Sequence, residues 1–325
     1  MKNPFGFILL IILAFSCKPT DRSFLTEAQV YPEDYKAMTS DTFRVMTWNV
    51  EHFVDLYDNP YVNNKRENNP DSIVFQEKIK LFAKALKKAD ADVVVLQEIE
   101  HIQLAKKLSE DLFPELNYSF FADAASINWY QNVVVMSRLP LGVLYSYGSV
   151  HSPVTFTDKE GEEQYETQSK INTRLWTIEV IADKDYNFYL TGAHLKAGRG
   201  KRDESMRLGQ ISLLKEQYAR IYKEHNTANI VVAGDLNSYP DSQEIQSFKE
   251  KVEGISFIDP LPAEVMTHTA DDPKRRLDYL LVNDNMAPEL IKGSVKVPTL
   301  LTIKEMRKVS DHLPVIADFI ASEKK

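Results

Sequence analysis

Short apolar runs that switch abruptly to polar residues recur along this chain. The clearest run covers residues 230–233 and is followed at once by Gly234, Asp235 and Asn237. A short apolar run bounded by Gly and Pro is typical of a strand that is buried on both faces. Since residues just past such strands often carry the chemistry of an α/β protein, the pattern predicts a site at this turn. Taken alone, Asp and Asn after a strand are more often turn or helix-cap residues than catalytic ones.

Further strand-like segments repeat this switch. Three of them end at Asn49, Glu98 and His194, whereas two near the C-terminus begin with polar residues, one with Asp278 and one with Asp311 and His312. If the C-terminal pair runs antiparallel to the others, all these polar clusters meet along one edge of the sheets. The predicted strands cover residues 43–49, 92–98, 131–137, 141–150, 172–180, 186–193, 230–233, 276–282 and 310–317.

Helical spacing of apolar residues predicts amphipathic helices between the strands. One helix covers about 72–89, another about 203–224, and a shorter one begins near His101. The hydrophilic stretch 157–170 predicts a solvated hairpin. The polar segment 55–71 is a loop that either shapes access to the site or is simply solvated.

The N-terminus predicts export. Residues 5–15 are apolar but too few for a comfortable membrane span. Cys17, the only cysteine, excludes an intramolecular disulfide and stands where a bacterial lipoprotein signal carries its lipidated cysteine, although Leu13 lies one place further from it than usual. Two interpretations fit this pattern: lipidation of Cys17, or simple cleavage of the signal without lipidation. We therefore predict a signal over residues 1–17, a flexible tether over 18–41 and one domain over 42–325.

The net charge of the chain restricts the possible binding partners only weakly. The net charge of −8 argues against a protein that grips nucleic acid with its whole surface. A local basic run from Lys196 to Arg207 follows His194, and it is either a mobile solvated loop or a phosphate-binding segment. Nothing in the chain indicates an obligate oligomer, so a monomer is expected.

Polar residues at the shared edge point to chemistry. Two Asn, one Glu, three Asp and two His are unlikely to share one edge for packing reasons alone. Asp235 and Asn237 offer oxygen ligands to a hard cation or orient a water. The role of His52 is left open because this residue lies close to Asn49 in sequence. The remaining histidines are expected on the surface: His101, His151, His225 and His268.

The assembled motifs resemble the metal-dependent endonuclease/exonuclease/phosphatase superfamily, and they occur in that family's order over about residues 43–320. The resemblance implies a four-layer α/β/β/α sandwich, with two mixed β-sheets packed face to face and flanked by helices. The matching segments are Thr47-Trp48-Asn49-Val50, Leu96-Gln97-Glu98, His194-Leu195-Lys196, Gly234-Asp235-Leu236-Asn237, Leu277-Asp278-Tyr279 and Ser310-Asp311-His312-Leu313-Pro314.

The resemblance also implies roles. One or two Mg²⁺ or Mn²⁺ ions would be held by Asn49, Glu98 and Asp311. Asp235, positioned by Asn237, would activate the attacking water. His312, oriented by Asp278, and His194 would donate hydrogen bonds to the phosphate. Arg174 and Lys196 are further candidates for phosphate contacts, or else exposed surface cations.

Substrate choice is open among three hypotheses. The chain looks like exported bacterial nuclease-like members more than the inositol phosphatases, whose Trp-Cys-Asp-Arg type motif is Arg276-Leu277-Asp278-Tyr279 here. An exported nuclease acting on DNA or RNA is therefore the first hypothesis, supported by the basic run and by Lys274-Arg275-Arg276. A phosphoesterase for a phospholipid, nucleotide or other small ester is the second. A binding lipoprotein without turnover is the third. The expected location is the bacterial cell envelope, with the membrane contacted only through the lipid anchor.

Overall fold

The computed structural model describes residues 40–57, 70–124, 129–148, 150–171 and 174–323. Five α-helices lie within these ranges: α1 (Ser72–Ala89), α2 (Ile102–Leu112), α3 (Lys201–Glu224), α4 (Gln243–Lys249) and α5 (Ile303–Val309). The strands are β1 (Thr42–Phe53), β2 (Val93–Ile99), β3 (Phe120–Asp123), β4 (Asn132–Ser137), β5 (Leu141–Tyr145), β6 (Ser152–Thr157), β7 (Glu163–Gln168), β8 (Leu175–Asp183), β9 (Tyr186–His194), β10 (Ile230–Asp235), β11 (Phe257–Ile258), β12 (Asp278–Asn283) and β13 (Val315–Ile320).

The strands form two large mixed sheets and one hairpin. The first sheet has the order β13-β1-β2-β4-β3, and the second has the order β11-β12-β10-β9-β8-β5. In each sheet one parallel pair lies among antiparallel neighbours, namely β1 with β2 and β9 with β10. The separate pair, β6 with β7, is antiparallel.

Alternating side chains divide the apolar residues into three layers of core. Since successive residues of a strand point to opposite faces, each sheet can bury both of its faces. Val45 and Val231 lie in the cluster shared by the two sheets. Met46 packs towards α1 and α2 on one side, and Val232 packs towards α3 and α4 on the other. The predicted α/β/β/α sandwich is confirmed.

Strand direction brings the polar strand ends together. The parallel strands β1, β2, β9 and β10 end at the same edge, where the antiparallel strands β12 and β13 begin. This is the arrangement that the sequence predicted, and it supplies the floor of the site.

Several predicted elements differ in extent from those observed. Helix α1 has the predicted bounds, and α3 begins two residues earlier than predicted. Strand β13 begins only at Val315, after Pro314, which cannot donate to a strand ladder. The hairpin of β6 and β7 begins earlier than residue 157 and is not simply solvated, because Ser205 Oγ on α3 donates to the carbonyl oxygen of Thr155 at 2.6 Å.

The predicted export signal, Cys17 and nearly all of the predicted tether lie outside the described residues, as do residues 58–69 of the predicted access loop. Among the helices that the structure describes, none combines the length and the apolar character that a membrane crossing requires.

A lysine on α1 supports the irregular end of β1. Lys78 Nζ donates to the carbonyl oxygens of Val50 at 3.0 Å and Glu51 at 2.8 Å. Glu51 and His52 both have left-handed φ angles, 36° and 39°, which direct His52 towards the site. Burial is the main reason that the pKa of Lys78 falls to about 8, although nearby carboxylates oppose the shift.

This depressed pKa predicts a pH-dependent stability. Between pH 8 and 10.5 the unfolded chain still protonates Lys78 while the folded chain does not, so the free energy of unfolding rises with pH in that window. Relative to Lys78→Met, the metal-free wild type should gain up to about 3 kcal/mol across it. Urea denaturation in EDTA measures this gain, with Lys80→Met on the exposed face of α1 as control. A constant difference between wild type and Lys78→Met contradicts the assignment.

Candidate active site

Asp235 lies at the carboxyl end of β10, at the centre of the polar edge. The strand reaches this point against β9 only because residue 234 is glycine: a Cβ there would lie 1.8 Å from the carbonyl oxygen of Ala193. Asn237 has a left-handed φ of 50°, and its backbone N–H donates to Asp235 Oδ1 at 2.8 Å. Burial raises the pKa of Asp235, and the charge of Asp278 adds to the effect. A carboxyl with a raised pKa suits proton transfer.

Glu98 is the penultimate residue of β2 on the other sheet, and it faces Asp235 across the site. Its Oε2 lies 3.1 Å from His52 Nε2, so the histidine that the sequence left open belongs to the site. Gln131 Nε2 donates to the same oxygen at 3.1 Å. Burial opposes ionisation of Glu98, but the pKa is nevertheless lowered, chiefly by the hydrogen bond from His52, with the hydrogen bond from Asn49 adding to the effect. Glu98 is therefore an anion throughout the neutral range.

Asn49 connects the two sheets at this point. Its Nδ2 donates to Glu98 Oε1 at 3.0 Å and to Asp235 Oδ2 at 3.0 Å. Its Oδ1 accepts the backbone N–H of Glu51 at 3.0 Å. Asn49 thus joins the two carboxylates through its amide nitrogen, and its predicted role as a metal ligand stays a prediction.

His312 and Asp278 form a buried pair beside Asp235. His312 Nδ1 lies 2.8 Å from Asp278 Oδ2, and His312 Nε2 lies 3.8 Å from Asp235 Oδ2. Burial alone would lower the pKa of His312, but the charges of Asp278 and Asp235 outweigh it and raise the pKa to about 10. His312 is accordingly a cation at neutral pH, with its Nε2–H turned towards the site.

His194 faces the same carboxylates as His312 but differs from it in charge. Its Nε2 lies 3.4 Å from Glu98 Oε1 and 3.8 Å from Asp235 Oδ2. Burial lowers the pKa of His194, so the ring is neutral at neutral pH. Its Nδ1 is buried and has no hydrogen-bond partner among the residues that the structure describes. Because carboxylate oxygens only accept, the single ring proton belongs on Nε2, where it can be donated into the site.

Asp311 completes the cluster, together with a histidine that the sequence analysis assigned to the surface. That assignment of His268 is wrong: the residue is only 8% exposed, and its ring meets the His312 ring edge to face at 4.8 Å. Its Nε2 lies 3.2 Å from Asp311 Oδ2. Periodicity could not identify it, since residues 267–270 form no helix or strand and become ordered by pairing with the 311–313 segment.

The two predicted phosphate-binding cations differ in their surroundings. Arg174 is half-buried near Glu98 and Asp235, its guanidinium lies over the Trp129 ring at 5.5 Å, and burial lowers its pKa. Lys196 Nζ instead pairs with Asp203 Oδ1 at 3.1 Å. Arg174 is therefore available to the reaction centre, whereas Lys196 would have to leave its partner. Both roles stay predictions.

Basic residues that supported nucleic-acid binding are mostly engaged within the protein. In the run after His194, Arg207 pairs with the buried Glu244 at 2.7 Å, and Arg202 pairs with Glu166 at 2.6 Å. Arg276 is fully buried, where it pairs with Asp259 and donates to the carbonyl oxygen of Leu261. Arg276 is thus a structural residue rather than a surface cation.

The cluster opens into a cleft of about 490 Å³, and its donor set fits a divalent cation. Glu98, His194 and Asp235 bring potential ligand atoms within 4.8 Å of one another, and so do Asp235, Asp278 and His312. Asp278 Oδ1 is also buried, and no described residue forms a hydrogen bond with it. Closely spaced carboxylates in a partly buried site are stabilised by a hard cation, which prefers oxygen ligands.

Comparison with known proteins finds solved structures of similar fold. The chain resembles the catalytic domain of human Nocturnin, solved with a bound sulfate anion, at 19% identity and a TM-score of 0.56 over 87% of this chain and 95% of that one. It resembles truncated TDP2 from Caenorhabditis elegans at 15% identity and a TM-score of 0.53, over 86% and 98% of the two chains.

A bacterial structure is similar as well. The endonuclease/exonuclease/phosphatase from Beutenbergia cavernae is 22% identical, with a TM-score of 0.51 over 86% of this chain and 72% of that one. No curated protein is significantly similar in sequence. The model of the Endonuclease/Exonuclease/phosphatase family matches residues 46–312, from strand β1 to His312. The chain therefore belongs to the endonuclease/exonuclease/phosphatase family.

Proposed function

We propose that the protein is an exported, divalent-metal-dependent phosphodiesterase, and that its substrate is the phosphodiester backbone of DNA or RNA. One observation carries the proposal: a neutral histidine, a cationic histidine and a carboxyl of raised pKa converge on the same cleft as Glu98. That combination separates the groups needed to accept a proton from those needed to stabilise a developing negative charge.

Each group has a distinct task in this proposal. Glu98 and Asp311, with Asn49 beside them, would hold Mg²⁺ or Mn²⁺, which polarises phosphoryl oxygens and stabilises the leaving oxygen when bound. Asp235 accepts the proton of the attacking water, and Asn237 keeps its carboxylate in place. His312 and His194 donate through Nε2 to the phosphoryl oxygens as charge builds on them.

The ion pairs formed by the basic residues favour a second candidate substrate, a small phosphate ester such as a nucleotide or a lipid head group. Duplex binding normally draws on many cations that are free to meet phosphates. Here Lys196, Arg202 and Arg207 are held in ion pairs. A cleft of about 490 Å³ is large enough for a mononucleotide-sized group.

Substrate profiling with metal present decides between the two. Supercoiled plasmid, single-stranded DNA and RNA are incubated with the purified protein, alongside nucleotides, phospholipids and bis-p-nitrophenyl phosphate. Cleavage of any nucleic acid supports the nuclease. Cleavage of small esters alone, with all three nucleic acids intact, replaces it with the second candidate. Binding of phosphoesters without turnover of any of them would leave the non-catalytic lipoprotein.

We also propose that Cys17 is lipidated and anchors a monomer in the bacterial cell envelope. The apolar residues before Cys17 and the absence of any other cysteine support this. In a bacterial host, the wild-type chain should incorporate labelled palmitate and sediment with membranes, whereas Cys17→Ser should do neither. Equal labelling of both chains, or soluble wild-type protein, contradicts the anchor.

A further inference from the structure

We propose that His268 is a positioning residue for metal binding: it donates a hydrogen bond through Nε2 to Asp311 and fixes that carboxylate in the orientation that holds the ion. The inference rests on the proposed function, because Asp311 is one of the residues assigned there to the metal. His268 belongs to none of the sequence motifs that indicated the site, and only the structure brings it there.

The protein backbone holds His268 in this place. The N–H and carbonyl of His268 form a pair with those of Arg275, with both N···O distances at 2.9 Å. Leu313 N–H donates to the carbonyl oxygen of Thr267 at 2.7 Å, and Ala270 N–H donates to that of Asp311 at 2.8 Å. Main-chain hydrogen bonds therefore hold the segment beside Asp311 and His312 independently of the His268 side chain. A substitution of the His268 side chain should consequently leave the fold intact.

Arg275 determines which ring nitrogen carries the proton. Its Nη2 lies 2.6 Å from His268 Nδ1 and 3.2 Å from Nε2, so the closer contact is to Nδ1. A guanidinium can only donate, and Nδ1 must therefore present its lone pair. In the neutral ring the proton then belongs to Nε2, which lies 3.2 Å from Asp311 Oδ2.

This tautomer excludes the simplest alternative. His268, Asp311 and His312 are close enough for their ligand atoms to surround one ion. A neutral imidazole coordinates a metal through a nitrogen that carries no proton, and here that nitrogen is occupied by Arg275. His268 is therefore a donor to a ligand and not a ligand.

The two carboxylate oxygens of Asp311 consequently have different surroundings. Oδ2 is engaged by His268, and Oδ1 lies 3.7 Å from Nε2 of His312, which lines the cleft. The backbone N–H of Asp311 is held by Glu51 Oε2 at 2.9 Å. Among the described residues, His268 supplies the side-chain hydrogen bond that restrains rotation of this carboxylate. Hydrogen-bond partners of metal ligands typically contribute about 10- to 100-fold to metal affinity.

Three substitutions at this position test the donor. The amide nitrogen of Gln can take the place of Nε2–H, whereas the shorter Asn side chain reaches only the region of Nδ1, and Ala removes both. Calorimetric titration of the full chain with Mn²⁺ should give an affinity about 10- to 100-fold weaker for His268→Ala and His268→Asn, and close to wild type for His268→Gln. At saturating Mn²⁺, the KM of the three variants for a phosphoester substrate should change little. His151→Ala, at an exposed histidine, is the matched control.

The possible results separate this inference from the proposed function. If the wild type binds Mn²⁺ and cleaves phosphoesters while His268→Ala binds Mn²⁺ equally tightly, the inference is overturned and the function stands. If Gln weakens binding as much as Ala in a protein with unchanged thermal stability, donation by Nε2 is wrong. If the wild type binds Mn²⁺ but hydrolyses nothing, the proposed function fails alone, since metal affinity still reports on His268. A wild type that does not bind Mn²⁺ overturns both.

Discussion

Glu98→Gln should reduce kcat/KM for phosphodiester hydrolysis on the order of 10³-fold, the largest effect expected from one substitution in this protein. The change preserves the shape of the side chain but removes the charge that the metal requires. His52, His194 and Asn49 all lie within 3.4 Å of the Glu98 carboxylate oxygens, so the site around it is already built to hold an anion. Steady-state kinetics at saturating Mn²⁺ and Mg²⁺ measure the loss.

The matched control for this prediction is Glu110→Gln, which neutralises an exposed carboxylate on α2. It should leave kcat/KM within about twofold of wild type, as surface substitutions usually do. A Glu98→Gln variant that retains more than a tenth of wild-type activity at every metal concentration would remove Glu98 from the proposed mechanism.

Asp278→Asn should lower kcat by about 10²- to 10³-fold at pH 7, because the orientation and the charge of His312 both depend on this carboxylate. In the wild type the pKa of His312 is raised to about 10, so the cationic form persists across the neutral range. Without the Asp278 charge the pKa of His312 falls. A raised histidine pKa preserves the cation up to the folded-state pKa, and the variant should therefore lose activity progressively as pH rises from 6 to 9.

Profiles of kcat against pH for wild type and Asp278→Asn measure this second effect. Asp259→Asn changes a carboxylate of the same sequence region that pairs with Arg276 rather than with a site histidine, so it should lower stability and leave the shape of the profile unchanged. If the two enzymes show parallel profiles, His312 does not act as a cation held by Asp278.

Much of the fold was predictable because apolar periodicity records which faces are buried. The alternation in β1 and the unbroken apolar run of β10 reflect strands covered on both faces, and helix α1 follows its apolar spacing to the residue. Strand order and layer packing required the family resemblance. They depend on contacts between distant segments, such as that of Arg44 with Asp92, which leave no periodic signal.

The candidate site likewise contains residues that the sequence predicted and others that it did not. Asp235, Glu98 and His312 were found because they stand where apolar strands end or begin. His268 was missed because an irregular segment carries it, and its position depends on pairing with Leu313 and Arg275. The ion pairs of the basic residues could not be predicted for a related reason: composition records the charges of Arg202, Arg207 and Arg276 but not the carboxylates that neutralise them.

The most direct test of the central claim is hydrolysis of bis-p-nitrophenyl phosphate by the purified protein before and after metal removal. The account predicts turnover with Mn²⁺ or Mg²⁺, complete loss in EDTA, and recovery when either ion is restored in excess. Full activity that persists in EDTA after exhaustive dialysis would contradict the metal-dependent mechanism, and no turnover with either ion would contradict the assignment of the cleft as a phosphodiesterase site.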